Sequence, residues 1–309
     1  MFSFFKRKKP LLPVPEWASF FTQEEYNRFI SHLEGYLKGK NVERDYEDAA
    51  FVIEDEYNEK TTHGLNNIAQ QCKQTPSRRW KKLIVSHFDS FKKIDKFNRE
   101  FEAHAHNFTH VSPFLGVRLY NKGYISTIGD GIVITRPVTE DIIAMLVFDF
   151  PHSVSNVKPE QSVFWNKSED ELFEIGISNI RSNYKTEISS HRLEEFDIFM
   201  AEGDHFFVPN ILLELQQHPS LIGTYGSLIS IPHRHSVLFY PIENMQVAKA
   251  VNHFIPLTNY MYEQGPGSIS PKLYWYYQNS FQLLPYELTD RSLKLIPPDD
   301  FVSMLNLLE

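Results

Sequence analysis

The chain has 309 residues, 42% hydrophobic and 23% charged, which is the balance of a folded protein with room for one large domain or two ordinary ones. A formal net charge of −8 speaks against general nucleic-acid binding, which needs a basic footprint to neutralise phosphates. The single cysteine, Cys72, leaves no intramolecular disulfide and no multi-cysteine zinc site, and no apolar run approaches bilayer-spanning length.

Met1 to Lys9 is aromatic and basic and lacks the apolar segment of a secretory signal, so a flexible tail is expected over 1–15. The lesser reading is a weak membrane-surface contact through Phe2, Phe4 and Phe5. Trp17 to about Lys38 reads as a helix, with Thr22 and Glu25 at capping-box spacing and Tyr26, Phe29, Ile30, Leu33 and Leu37 on its apolar face. The acidic stretch from Asn41 to Glu59 holds one apolar island, Ala49 to Ile53, expected as a strand or hairpin. Leu65 to Ala69 opens a second helix that Thr75-Pro76 closes. A third, from about Ser77 to Ala105, carries Trp80, Leu83, Ile84, Phe88, Phe91, Ile94 and Phe97. Residues 16–112 therefore read as a mainly helical segment.

The pattern changes at Ser112-Pro113. Val117 to Tyr120, Ile132 to Thr135 and Ile142 to Phe150 are rich in branched and aromatic residues and read as strands. Ser168 with Glu171 starts an amphipathic helix to about Tyr184, followed by a strand at Phe196 to Met200 and a short helix at Asn210 to Gln217. Ser227 to Ile231 and Val237 to Tyr240, split by Pro232-His233-Arg234-His235, favour an antiparallel hairpin. A helix from Glu243 to about Gln264 follows, in which Pro256 should introduce a kink or an early stop. Gly265-Pro266-Gly267 ends it, and Leu273 to Tyr277 is an aromatic strand. The order suggests a duplicated strand-strand-helix-strand unit within 113–290. Residues 291–309 should end in a docking helix from Pro298, held by Phe301, Val302, Leu305 and Leu308.

Glu171-Leu172-Phe173-Glu174-Ile175 running to Asn179-Ile180-Arg181, Ile231-Pro232-His233-Arg234 with Val237-Leu238-Phe239, and Glu263-Gln264-Gly265-Pro266 with Ser270 to Tyr274 resemble the YtpQ-like bacterial proteins, a family without an assigned function. The resemblance covers roughly Pro113 to Tyr286 and is looser around Leu65 to Ala69. It implies a shared fold and a cytoplasmic bacterial protein, and it carries no reaction. The family tends to place a small or acidic residue beside the turn arginine, where this chain has His233 and His235, so no site transfers across that turn.

Two clusters are candidate sites. His233, Arg234 and His235 in the hairpin turn, with Gly265 and Gly267 nearby, suit a phosphate or carboxylate, Arg234 acting as a planar fork; solvated turn residues are the plainer reading. His104, His106 and His110 are the densest metal-ligand candidates, although only His106 and His110 share a face if the segment is helical, and no metal-binding signature accompanies them. Gly129-Asp130-Gly131 and Gly203-Asp204-His205 read as loops. No nucleophile elbow, Walker loop or dinucleotide fingerprint is present, and no cofactor is implied.

The expected fold is α+β, a mostly antiparallel sheet with helices on one face, preceded by the helical segment. The expected function is a non-enzymatic binding or interaction module, with an acidic surface such as Glu43 to Glu59 available to a protein partner. Its rivals are a hydrolase or metal-dependent enzyme with a dispersed site, and an acidic immunity or defence-locus protein that masks a basic partner.

Overall fold

A computed structural model describes residues 13–54, 60–129, 131–193, 195–265, 267–289 and 292–308, with the backbone alone at 92, 93 and 95. The basic N-terminal tail and Pro266 lie outside the described residues. The chain divides into two compact units, Met1–Glu100 and Phe101–Glu309.

The first unit begins with a 3-10 turn at Glu16–Ala18, and α1 (Gln23–Leu37) starts only after it. The start is set by reciprocal bonds: the Glu25 amide donates to Thr22 Oγ1 at 3.2 Å and the Thr22 amide donates to the Glu25 carboxylate at 2.8 Å. Strands β1 (Val42–Asp45), β2 (Ala50–Glu54) and β3 (Lys60–Gly64) make a three-stranded antiparallel sheet, so the apolar island is the central strand of a meander. Helices α2 (Asn66–Gln74) and α3 (Trp80–Glu102) follow, and α3 runs into the second unit at its last residues. Tyr26, Phe29, Leu33, Phe51, Cys72 and Phe88 are buried together, so this unit closes on a sheet as well as on helices.

The second unit opens with α4 (Phe108–Val111), β4 (Leu115–Asn121), α5 (Tyr124–Ile128), β5 (Thr135–Pro137), β6 (Ile142–Phe150) and β7 (Ser153–Asn156). These strands form an antiparallel sheet in the order β4-β6-β5, with β7 also paired to β6. The strand expected at Ile132 to Thr135 is displaced to β5, and Ile132 itself is exposed. After α6 (Pro159–Ser162) comes α7 (Glu169–Asn183), started by the Ser168–Glu171 capping box. The helix α7 lies directly on β4: a Cβ at Gly176 would sit 3.0 Å from the Gly116 carbonyl carbon. The Asn179 amide pins this contact, donating to the carbonyls of Ser112 and Leu115 at 2.8 and 2.9 Å.

Strands β8 (Glu187–Leu193) and β9 (Phe196–Glu202) precede a 3-10 segment, Val208–Gln217, where an α-helix was expected from Asn210. Then come β10 (Ser227–His233), β11 (Ser236–Pro241), α8 (Val247–Gln264), β12 (Leu273–Tyr277), β13 (Ser280–Leu284), β14 (Tyr286–Thr289), β15 (Ser292–Leu295) and α9 (Asp299–Asn306). The second sheet is six-stranded, β13-β12-β10-β11-β9-β8, and every pairing in it is antiparallel. Because β9 pairs with β11 and not with the β4-β6-β5 sheet, the strand that was to close the first repeat belongs to the second sheet. The chain is therefore α+β without two equivalent halves. The helix α8 continues through Pro256, because Val251, Phe254, Ile255 and Thr258 are buried on both sides of it. Burying each such apolar side chain is worth roughly 1.5–3 kcal/mol, against about 3 kcal/mol for one interior proline. At the tail Phe301 and Met304 are buried and Leu305 and Leu308 pack against the same core, while Val302 is exposed and takes no part in docking α9.

Candidate anion-binding site at the β10–β11 turn

Strands β10 and β11 pair down to His233 opposite Ser236, which leaves Arg234 and His235 as a two-residue turn. The segment after α8 runs beside it. The Arg234 amide donates to the Gly267 carbonyl at 3.1 Å, and the Ile269 and Ser270 amides donate to Pro232 and Ile231 at 2.9 and 3.0 Å. The structure thus brings together His233, Arg234, His235, Gly265 and Gly267. Both glycines are needed for close approach. A Cβ at Gly265 would overlap the His233 ring. One at Gly267, whose φ is +69°, would fall 2.6 Å from Arg234 Cδ.

The hydrogen bonds fix the histidines. His233 Nδ1 accepts the His235 amide at 3.2 Å, and burial, followed by neighbouring His235 and Arg234, holds the His233 imidazole below its ordinary range. His235 Nδ1 lies 3.1 Å from the Gly203 carbonyl, and its Nε2 is 3.3 Å from Arg234 Nε. A carbonyl only accepts and a guanidinium only donates, so His235 carries its proton on Nδ1. Both of its ring nitrogens are engaged, and the ring orients Arg234.

The residue that completes the cluster comes from the other sheet. Arg118 on β4 interrupts the otherwise apolar run Leu115 to Leu119. Its guanidinium stands 4.8 Å from the Tyr120 ring centroid and 5.2 Å from that of Phe206, while Arg234 covers Phe206 at 4.2 Å. Phe206, in the loop after β9, is 38% exposed. Tyr124 stacks on Tyr120 at 4.7 Å and 9°, extending the aromatic floor. Asn121 and Asn210 hold β4 in place, donating to the Ile269 carbonyl at 3.0 Å and the Val117 carbonyl at 2.7 Å.

Neither guanidinium has a carboxylate partner among the described residues. Arg118 Nε is buried with no acceptor among the described residues. Burial, and Arg118 alongside, hold the Arg234 guanidinium below its usual value. Two like charges half removed from water without a counter-charge are costly, and an anion between them offsets that cost. Arg118 and Phe206 escaped sequence reading. The available signal was the one charge inside the apolar run at 115–119.

The histidine cluster does not form one ligand set. The helix α3 ends at Glu102 and α4 starts at Phe108, so the spacing is not that of a continuous helix. His104 and His110 approach, with ring centroids 5.4 Å apart, instead of His106 and His110. Among the described residues no group of three or more His, Cys, Asp or Glu side chains is placed to hold a metal ion. Gly203-Asp204-His205 remains a loop, with His205 Nδ1 accepting the Phe207 amide at 3.2 Å.

A further polar group is structural in its connections. Asp141 accepts hydrogen bonds from Tyr274 at 2.5 Å and Ser270 at 2.9 Å, and Lys272 lies 3.5 Å away. It joins the β5–β6 connection to β12. Among the described residues no helix is long and apolar enough to cross a membrane. Searches of family models, curated proteins and solved structures yield no match to this chain.

Proposed function

We propose that this chain is a non-enzymatic binding protein that takes an anionic oxygen group, a phosphate or carboxylate, between Arg118 and Arg234. The observation that carries this reading is the pair of half-buried guanidiniums with no carboxylate partner among the described residues, one with an enclosed N–H that finds no acceptor among them. Binding is favoured over catalysis because the adjacent imidazole, His235, has both nitrogens occupied in holding Arg234 and the Gly203 carbonyl. The resemblance to the YtpQ-like proteins, and with it a bacterial cytoplasmic setting, belongs to the same proposal.

Calorimetric titration with inorganic phosphate and with pyrophosphate, at low and at physiological salt, tests it. Saturable binding that weakens as salt rises is expected. Arg118→Ala and Arg234→Ala should each weaken it about tenfold to a hundredfold, the worth of a charge-assisted hydrogen bond. Absence of binding by either anion, or binding that survives both substitutions, overturns the proposal.

A further inference from the structure

A cleft of about 540 Å³ lies between the β12–β13 hairpin and α9 and shares no lining residue with the guanidinium pair. Its size is that of small-molecule sites. Cross-strand register sets Trp275 opposite Gln282 and Tyr277 opposite Ser280, so these four side chains stand on one face of the hairpin. The facing wall is α9, where Asp300, Ser303, Met304 and Leu307 recur at helical spacing and line the same space. Phe301, edge-on to Trp275 at 5.2 Å, anchors the helix beneath the cleft.

The lining combines two chemistries. Trp275 and Tyr277 lie ring on ring, 5.0 Å apart at 7°, and the half-buried Tyr277 is the outer member of this flat platform. Around it, the side chains of Gln278, Gln282, Asp300 and Ser303 make no hydrogen bond to any described residue. Among the described residues no lysine or arginine lines the cleft. Amides and a hydroxyl offer donors and acceptors together, the carboxylate offers acceptors alone, and the aromatic platform offers a dry, polarisable face. A pyranose ring has the matching character, with C–H groups on its faces and hydroxyls at its rim. An anionic ligand would meet Asp300 with no compensating cation. The Asp300 charge is itself accounted for by its place in the first turn of α9, so it does not call for a cationic ligand.

We infer that this cleft is a binding site for a neutral saccharide, stacked on Tyr277 and hydrogen-bonded at its rim by Gln282, Gln278 and Asp300. Ligand-observed NMR and calorimetry on the full chain test it with maltose, cellobiose and N,N′-diacetylchitobiose, against choline and adenosine as cationic and flat-base probes. At least one neutral disaccharide should bind saturably, with Gln282→Ala weakening it about tenfold, the loss of one well-placed hydrogen bond or a little more. Ser303→Trp, at an exposed helix position, should fill the cleft and abolish binding while leaving the far-ultraviolet circular dichroism unchanged and the melting temperature no lower. Arg234→Ala should not affect it. Failure of all three disaccharides, preferential binding of choline or adenosine, or binding that survives Ser303→Trp each overturns the inference.

Discussion

Gly267→Ala tests the site geometry with both arginines left in place in the sequence. Gly267 has φ +69°, and a Cβ there would lie 2.6 Å from Arg234 Cδ, 2.7 Å from Nε and 2.9 Å from Cζ. The left-handed backbone costs an alanine about 1–2 kcal/mol. The crowded atoms belong to a flexible side chain, so Arg234 moves and the backbone stays. That movement removes the guanidinium from its position 4.2 Å above Phe206, worth about 1 kcal/mol more at a half-buried site. The sum, about 2–3 kcal/mol, should lower the melting temperature of a unit this size by about 4–12 °C. Urea and thermal unfolding measure the stability, and phosphate titration reads the site. Gly131→Ala is the control, because Gly131 has φ +75° and nothing within 4 Å of the added atom. It should show the backbone cost alone, with phosphate binding intact. If Gly267→Ala loses no more stability than Gly131→Ala and binds phosphate as well as the parent chain, the placement of Arg234 is wrong.

Asp141→Ala and Tyr274→Phe each remove the same 2.5 Å bond, worth about 1.5–3 kcal/mol. Their double mutant should lose at least about 1 kcal/mol less than the sum by urea unfolding, and strict additivity refutes the coupling. The Glu171 carboxyl is held down to about 2 by the Lys167 ammonium and the Ser168 amide. A lowered carboxyl stabilises the fold above its ordinary value of 4.5 and loses that contribution as pH falls towards 2, so Glu171→Gln should flatten the acid limb of stability against pH. An unchanged acid limb would show that the Lys167 and Ser168 contacts do not lower the Glu171 carboxyl in solution. Burial pushes the Cys72 thiol up to about 12, so a disulfide thiol reagent should leave it untouched in the native chain and modify it on unfolding. Rapid labelling without denaturant refutes the packing of the first unit.

Elements with a strong local signal were legible from the sequence. The capping box at Ser168 places the start of α7 within a residue, and the one at Thr22 marks where α1 begins, later than the Trp17 start expected, because reciprocal bonds between positions three apart need no distant partner. The runs Ile142 to Phe150 and Leu273 to Tyr277 are strands over the residues expected, because both faces of each are buried among branched or aromatic side chains. Weaker signals failed where tertiary pairing decides. The strand β8 reads polar, Glu187 to Leu193, and exists because β9 offers it an edge. The strands β13 to β15 are short, β14 and β15 are exposed on much of their length, and all three are held by partner strands.

Of the candidate site, the turn His233-Arg234-His235 and its two glycines were visible as punctuation between two apolar runs. Arg118 and Phe206 were not, since they lie 116 and 28 positions from Arg234 in the chain and meet it only through the packing of two sheets. For the strongly patterned segments the amino-acid order by itself determined which coil into helices, which extend, and where turns interrupt them, because those choices rest on neighbours within a few residues. Only the tertiary structure decided which cations share a space and which lack a counter-charge. Proximity and desolvation are properties of residues distant in the chain, and no local pattern encodes them.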